Sequence, residues 1–136
     1  MSTNVLTRPS RLPVQLLFKC VAGALLLLML VFIGVQWNDP DGLLWAVIYG
    51  LPAVLMLIVV VRPGLLGTQV GRIGLACILI GLLVATILAW PEQPAFWTRD
   101  VWWEEETARE GMGLMVALVV SVLALPVALR QTRKLR

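Results

Sequence analysis

Residues 20–37 read CVAGALLLLMLVFIGVQW, eighteen positions without a Lys, Arg, Asp or Glu. At about 1.5 Å of rise per residue, an α-helix of that length covers roughly 27 Å. That nearly matches a bilayer hydrocarbon core of about 30 Å. Three more uncharged stretches follow: Leu43–Val61 (LLWAVIYGLPAVLMLIVVV), Ile73–Trp90 (IGLACILIGLLVATILAW) and Gly111–Leu129 (GMGLMVALVVSVLALPVAL). A backbone in lipid has to satisfy its own hydrogen bonds, so segments of this kind are helices and not open strands. The expected fold is all-α, a bundle of four transmembrane helices over about 17–37, 43–61, 73–90 and 111–129.

The whole composition points the same way. Of 136 residues, 60% are hydrophobic and 14% charged, whereas soluble chains average about 45–50% apolar and about 25% charged. A soluble fold this small cannot hide so much apolar surface, so the chain reads as a single membrane domain over 1–136. The first apolar stretch also resembles a secretory signal, with Arg8, Arg11 and Lys19 ahead of a Leu-rich run. No small-residue cleavage site follows it, because the chain continues Gln36-Trp37-Asn38-Asp39-Pro40, and a retained helix is expected.

Charge sets the orientation. Arg8, Arg11, Lys19, Arg62, Arg72, Arg130, Arg133, Lys134 and Arg136, nine of the eleven bases, fall at one end of the four spans. Arg99 and Arg109 are at the other end, together with all eight acids: Asp39, Asp41, Glu92, Asp100, Glu104, Glu105, Glu106 and Glu110. The positive-inside rule then predicts an N-in/C-in topology with both termini cytoplasmic, in a membrane of the bacterial inner (plasma) type. Trp37, Trp45, Trp90, Trp97, Trp102 and Trp103 all fall on the acidic, outer side, as an interfacial aromatic belt would.

The outer connections are unequal. Asn38–Gly42 is a tight turn of N-D-P-D-G type. The loop 91–110 is long for a compact bundle, and from about Asp100 it is expected to be helical and continuous with the last span. The inner connection Arg62–Arg72, holding Pro63, Gly64, Gly67 and Gly71, reads as a simple turn. Pro52 and Pro126 are candidate kink positions.

Two groups of residues stand out as a candidate outer-mouth site. In the first, Asn38, Asp39 and Asp41 precede Trp45 and Tyr49, and the four-residue spacing of Asp41, Trp45 and Tyr49 places them on one helical face. A competing account has Asp39 or Asp41 capping the second helix. The second group is Glu106, Arg109 and Glu110, where Arg109 is spaced to pair with Glu105 or Glu106. Acids at a helix start also suit its dipole without any ligand.

These residues resemble the transmembrane protein 220 family of small four-helix membrane proteins. The resemblance rests on Gln36, Asn38-Asp39-Pro40-Asp41, Trp45 and Tyr49, and on Glu106, Arg109-Glu110 and Gly113. It implies that the two outer motifs form one site, and it carries no biochemical activity with it.

Composition also narrows the function classes. The chain has no His, so the common triads and metal-hydrolase spacings are missing and no enzyme, catalytic residue or cofactor is expected. Cys20 and Cys77 stand alone near the inner helix ends and are expected to be packing residues. Transport is disfavoured because no span carries an ionisable residue; Thr86 and Ser121 are the chief buried hydroxyls. What remains is a structural or accessory subunit of a larger membrane complex, docking through the outer acidic, Trp-rich surface. The alternative is a small-ligand or hard-cation (calcium-like) site at the outer mouth. Lipid is the expected partner throughout, with anionic lipid at the basic C-terminal tail and no role for nucleic acid.

Overall fold

The computed structural model describes residues 12–134, which are helical with no strand among them. Arg8, Arg11 and Arg136 of the basic flanks lie outside the described residues. The elements are α1 (Leu12–Val35), a 3-10 turn (Gln36–Asn38), α2 (Gly42–Val61), a second 3-10 turn (Pro63–Gly67) and α3 (Gln69–Leu88), then α4 (Arg99–Glu104), α5 (Glu106–Val122) and α6 (Leu125–Lys134). Four helical stretches are long and apolar enough to cross a membrane: Val14–Asn38, Gly42–Val61, Gln69–Leu88 and Glu106–Lys134, the last made of α5 and α6 together.

Several helix ends depart from the expectation, each for a local reason. α1 starts earlier because Pro13 falls in its first turn, where a missing N–H goes unnoticed. α3 starts at Gln69 because Thr68 caps it, its Oγ1 accepting from the Gly71 amide at 3.1 Å. The last span is not one rod. Pro126 has no N–H to give the Val122 carbonyl and its ring crowds that oxygen. The chain tightens at Leu123 and Ala124, whose amides donate to Val120 and Ser121, and resumes as α6 with the Ala128 amide donating to Ala124. Pro52, by contrast, is accommodated inside a continuous α2.

The loop before α5 is also not continuous with it. α4 ends at Glu104, and Glu105 is extended (φ −93°, ψ 115°) before α5 begins. The Arg109 guanidinium takes up the Trp103 carbonyl at 2.8 Å, an oxygen that an unbroken helix would have given to the Thr107 amide. The inner connection is likewise more than a turn: Leu66 is buried in it, and α6 packs against it.

In space α1 packs on α2, α2 on α5, and α5 on α3, so the chain's second and last spans are central. Of the most apolar window in each, 39% is buried for α2 and for α5–α6, against 11% for α1 and 17% for α3. α5 and α6 earn their central place with small residues. Ala108, Ala117, Ser121 and Ala124 are fully buried, and with Gly111, Ala128 and one larger residue, Leu114, they recur three or four positions apart. Close backbone approach is what holds helices together where lipid removes the hydrophobic contrast. The outer faces of α1 and α3 present Leu16, Leu17, Leu27, Val31, Ile73, Ile80 and Ile87, all exposed from the bundle. Cys20 and Cys77 are on these outer surfaces too, so neither packs in the core as expected.

Candidate functional site

At the acidic end the bundle opens into a cavity of about 370 Å³. Its walls follow from helix periodicity. In α5, Glu106, Arg109, Glu110 and Gly113 are spaced three and four apart and all line it, with Met112 and Val116 beside them. α2 contributes Trp45 and Tyr49, one turn apart; the end of α1 contributes Phe32 and Val35, and Gln36 and Asp39 follow in the turn. Trp102 of α4 closes the remaining side.

The inner wall is aromatic and tightly fixed. Tyr49 is buried, stacked on Trp45 with ring centroids 5.7 Å apart and edge-on to Phe32 at 5.2 Å. Its hydroxyl lies against the backbone of α5 at Gly113, where a Cβ would collide with it. Trp45 is 7% exposed, so it belongs to the core and not to the interfacial belt. Trp37, Trp90, Trp97 and Trp103 are exposed, as belt residues would be, Trp37 at 88% and Trp103 at 68% being the most open, whereas Trp102 is half-buried in the cavity wall.

The rim is charged. Glu106, Asp41 and Asp39 all repel Glu110, and Arg109 partly offsets them. Arg109 is exposed and spends a donor on the Trp103 carbonyl, which ties α4 to α5. The loop is further pinned by Gln93 Nε2 donating to Thr107 Oγ1 at 2.8 Å, and by Phe96 edge-on to both Trp90 and Trp97.

Of the residues singled out in the sequence, Asp39, Trp45, Tyr49, Glu106, Arg109 and Glu110 line this one cavity. Asn38 and Asp41 do not; both are exposed. Asp41 precedes α2 with a non-helical ψ of 21°, so the four-residue stripe through Trp45 and Tyr49 does not extend to it. Nor does its carboxylate cap α2. The backbone carbonyl of Asp41 receives the Leu44 and Trp45 amides, and no side-chain cap bond forms. Phe32, Trp102, Met112 and Val116 were not foreseen as wall residues: the packing of α1 and α4 brings in the first two, and Met112 and Val116 continue the α5 face inward as uncharged residues that nothing in an apolar run singles out. Among the described residues no three His, Cys, Asp or Glu are grouped so as to hold a metal ion. The two buried hydroxyls are satisfied inside their own helices, Thr86 by Leu82 O and Ser121 by Ala117 O.

Four apolar spans around a polar mouth define a multi-pass integral membrane protein. The family described as Transmembrane family 220, helix matches residues 18–125, and the chain belongs to it. No curated protein and no solved structure matches the chain.

Proposed function

We propose that the acidic-end cavity binds a small organic cation with an apolar body. The observation that carries this reading is the make-up of the cavity: aromatic walls from Phe32, Trp45, Tyr49 and Trp102, and at its mouth three carboxylates, Asp39, Glu106 and Glu110, against one guanidinium. A volume of about 370 Å³ is within the usual small-ligand range of about 300–1,000 Å³. Aromatic faces attract an ammonium group by about 0.5–2 kcal/mol each, more when water is excluded. A metal such as calcium is less well served, since it needs six to eight oxygens and no three acids converge.

The orientation that suits this reading places the acidic mouth outside and both termini in the cytoplasm, supported by the bias of bases to the opposite end. Choline and its uncharged carbon isostere are the probes, titrated into the detergent-purified chain and followed by tryptophan fluorescence. Choline is expected to give a saturable change, weakened about tenfold in Glu110→Gln, and the isostere to give none. Equal responses to both would overturn the reading, and saturation by calcium alone would move it to a metal.

A second reading, an accessory subunit docking through the acidic surface, is supported by the exposure of Trp97 and Trp103 beside Asp100, Glu104 and Glu105. Co-purification of a stoichiometric partner, lost in Trp97→Ala with Trp103→Ala while choline binding persists, would favour it.

A further inference from the structure

A second cavity, of about 690 Å³, opens at the opposite, basic end. Its position follows from the connections. α1 packs on α2 and α6 packs on the turn Pro63–Gly67, so the start of α1 and the end of α6 flank a cleft floored by Val59 and Pro63. Val14 and Phe18 from α1 and Val127 from α6 give it apolar sides. Around them stand Lys19, Arg130, Arg133 and Lys134, with the amides of Gln15 and Gln131. The chain's eight acids all lie between Asp39 and Glu110, in segments at the other end of the bundle, so among the described residues no carboxylate side chain lines the cleft beside these four cations. Arg130 is laid over the Phe18 ring with its guanidinium carbon 5.2 Å from the centroid, which holds the charge at the cleft mouth without neutralising it.

We propose that this cleft is a binding site for one anionic phospholipid, its phosphate held by Lys19, Arg130 and Arg133 and its first acyl carbons lying on Val14, Phe18 and Val127. Charge complementarity selects a phosphate, since guanidinium groups meet its oxygens bidentately. The apolar sides select the lipid source over free phosphate. The cleft thus departs from a diffuse basic patch in having a floor, two walls and a preset cation.

Native mass spectrometry of the full chain in mild detergent, titrated with phosphatidylglycerol or phosphatidylcholine, tests it. One phosphatidylglycerol is expected to be retained in preference to phosphatidylcholine. Lys19→Gln and Arg133→Gln are each expected to weaken retention about fivefold, as loss of one interfacial base should. Arg62→Gln and Arg72→Gln, exposed at the same end but outside the cleft, are expected to leave it unchanged. Phe18→Leu keeps the apolar wall but removes the ring under Arg130, and is expected to weaken phosphatidylglycerol without improving phosphatidylcholine. Equal losses in the Arg62 and Arg72 variants would reduce the site to general surface charge and overturn the proposal. Displacement of the lipid by inorganic phosphate, or retention unaffected by Lys19→Gln and Arg133→Gln together, would overturn it as well. Circular dichroism of each variant shows whether a loss reflects unfolding, and Arg133→Lys, which preserves charge, is expected to restore most of the retention.

Discussion

Gly113 and Tyr49 meet where α5 crosses α2, and the contact decides what either residue can become. A Cβ at Gly113 would run into the Tyr49 hydroxyl, with the ring carbon that bears it next at 3.3 Å. Gly→Ala in a helix interior gains about 1 kcal/mol of propensity, but forcing a methyl into a filled contact costs about 1–3 kcal/mol. Gly113→Ala is therefore expected to destabilise the chain, read as a lower melting temperature in detergent. In a Tyr49→Phe background the colliding atom is gone and the propensity gain should win, so the same change is expected to be neutral or stabilising. A double-mutant cycle measures that coupling, and additivity would show that the two residues do not touch. At this scale the sequence spoke through spacing more than identity. The stripe of Trp45 and Tyr49 and the stripe of Glu106, Arg109 and Glu110 were legible because helical periodicity alone places them. Asp41 was misread because a residue just outside a helix does not obey its period. Trp45 reads two ways, as a site residue and as a belt residue, because an indole at a helix end looks the same in sequence whether it faces lipid headgroups or a neighbouring ring.

α6 poses a contrasting case, because its seat is built from backbone. A Cβ at Gly67 would lie 2.7 Å from the Cβ of Gln131 and 2.9 Å from its carbonyl carbon. No rotamer of Gln131 relieves that, so Gly67→Ala has to push α6 off the turn Pro63–Gly67. A destabilisation of about 1–3 kcal/mol is expected, and Gln131→Ala should not rescue it, since Ala keeps both offending atoms. Rescue would place the clash in the side chain and refute this account of the seat. α6 is itself a product of Pro126, and its existence was only partly legible. A proline in an apolar run signals a kink, but Pro52 and Pro126 look alike in sequence and differ in outcome. Around Pro52 the helix is held by neighbours on both sides, as the burial of Pro52 and Ala53 shows. Around Pro126 the chain is nearing the end of the bundle and can break. The interruption at Glu105 was less legible still, because it depends on Arg109 reaching back to the Trp103 carbonyl.

For the molecule as a whole, the two ends were readable and the sides were not. Segregation of charge survives any packing of four rods, so acids and bases sort to opposite ends whichever helices touch. The neighbour order α1, α2, α5, α3 leaves almost no trace in runs of Leu, Val and Ile that are apolar all round; only the small residues of α5 and α6 mark the interior. What charge further predicts is direction across the bilayer, and that can be tested on single thiols. Cys20 and Cys77 are on exposed helix faces, so Cys20→Ala and Cys77→Ala should change stability by no more than about 0.5 kcal/mol and supply a thiol-free chain. Asn38→Cys in that background, at the exposed turn on the acidic end, is expected to react with a membrane-impermeant maleimide on intact cells. Lys134→Cys, at the exposed end of α6, should react only after permeabilisation. Labelling of Lys134→Cys alone on intact cells would invert the protein, and with it both assignments. The cavity with three carboxylates would then face the cytoplasm, and the phosphate cleft would meet the leaflet where anionic lipid is not expected to concentrate. Labelling of both from one side would require an even number of crossings between them, so the three helical stretches from Gly42 to Lys134 could not all be spans. The direction of the bundle is thus the premise on which the two sites become complementary, a cation met from outside and an anionic lipid held from within.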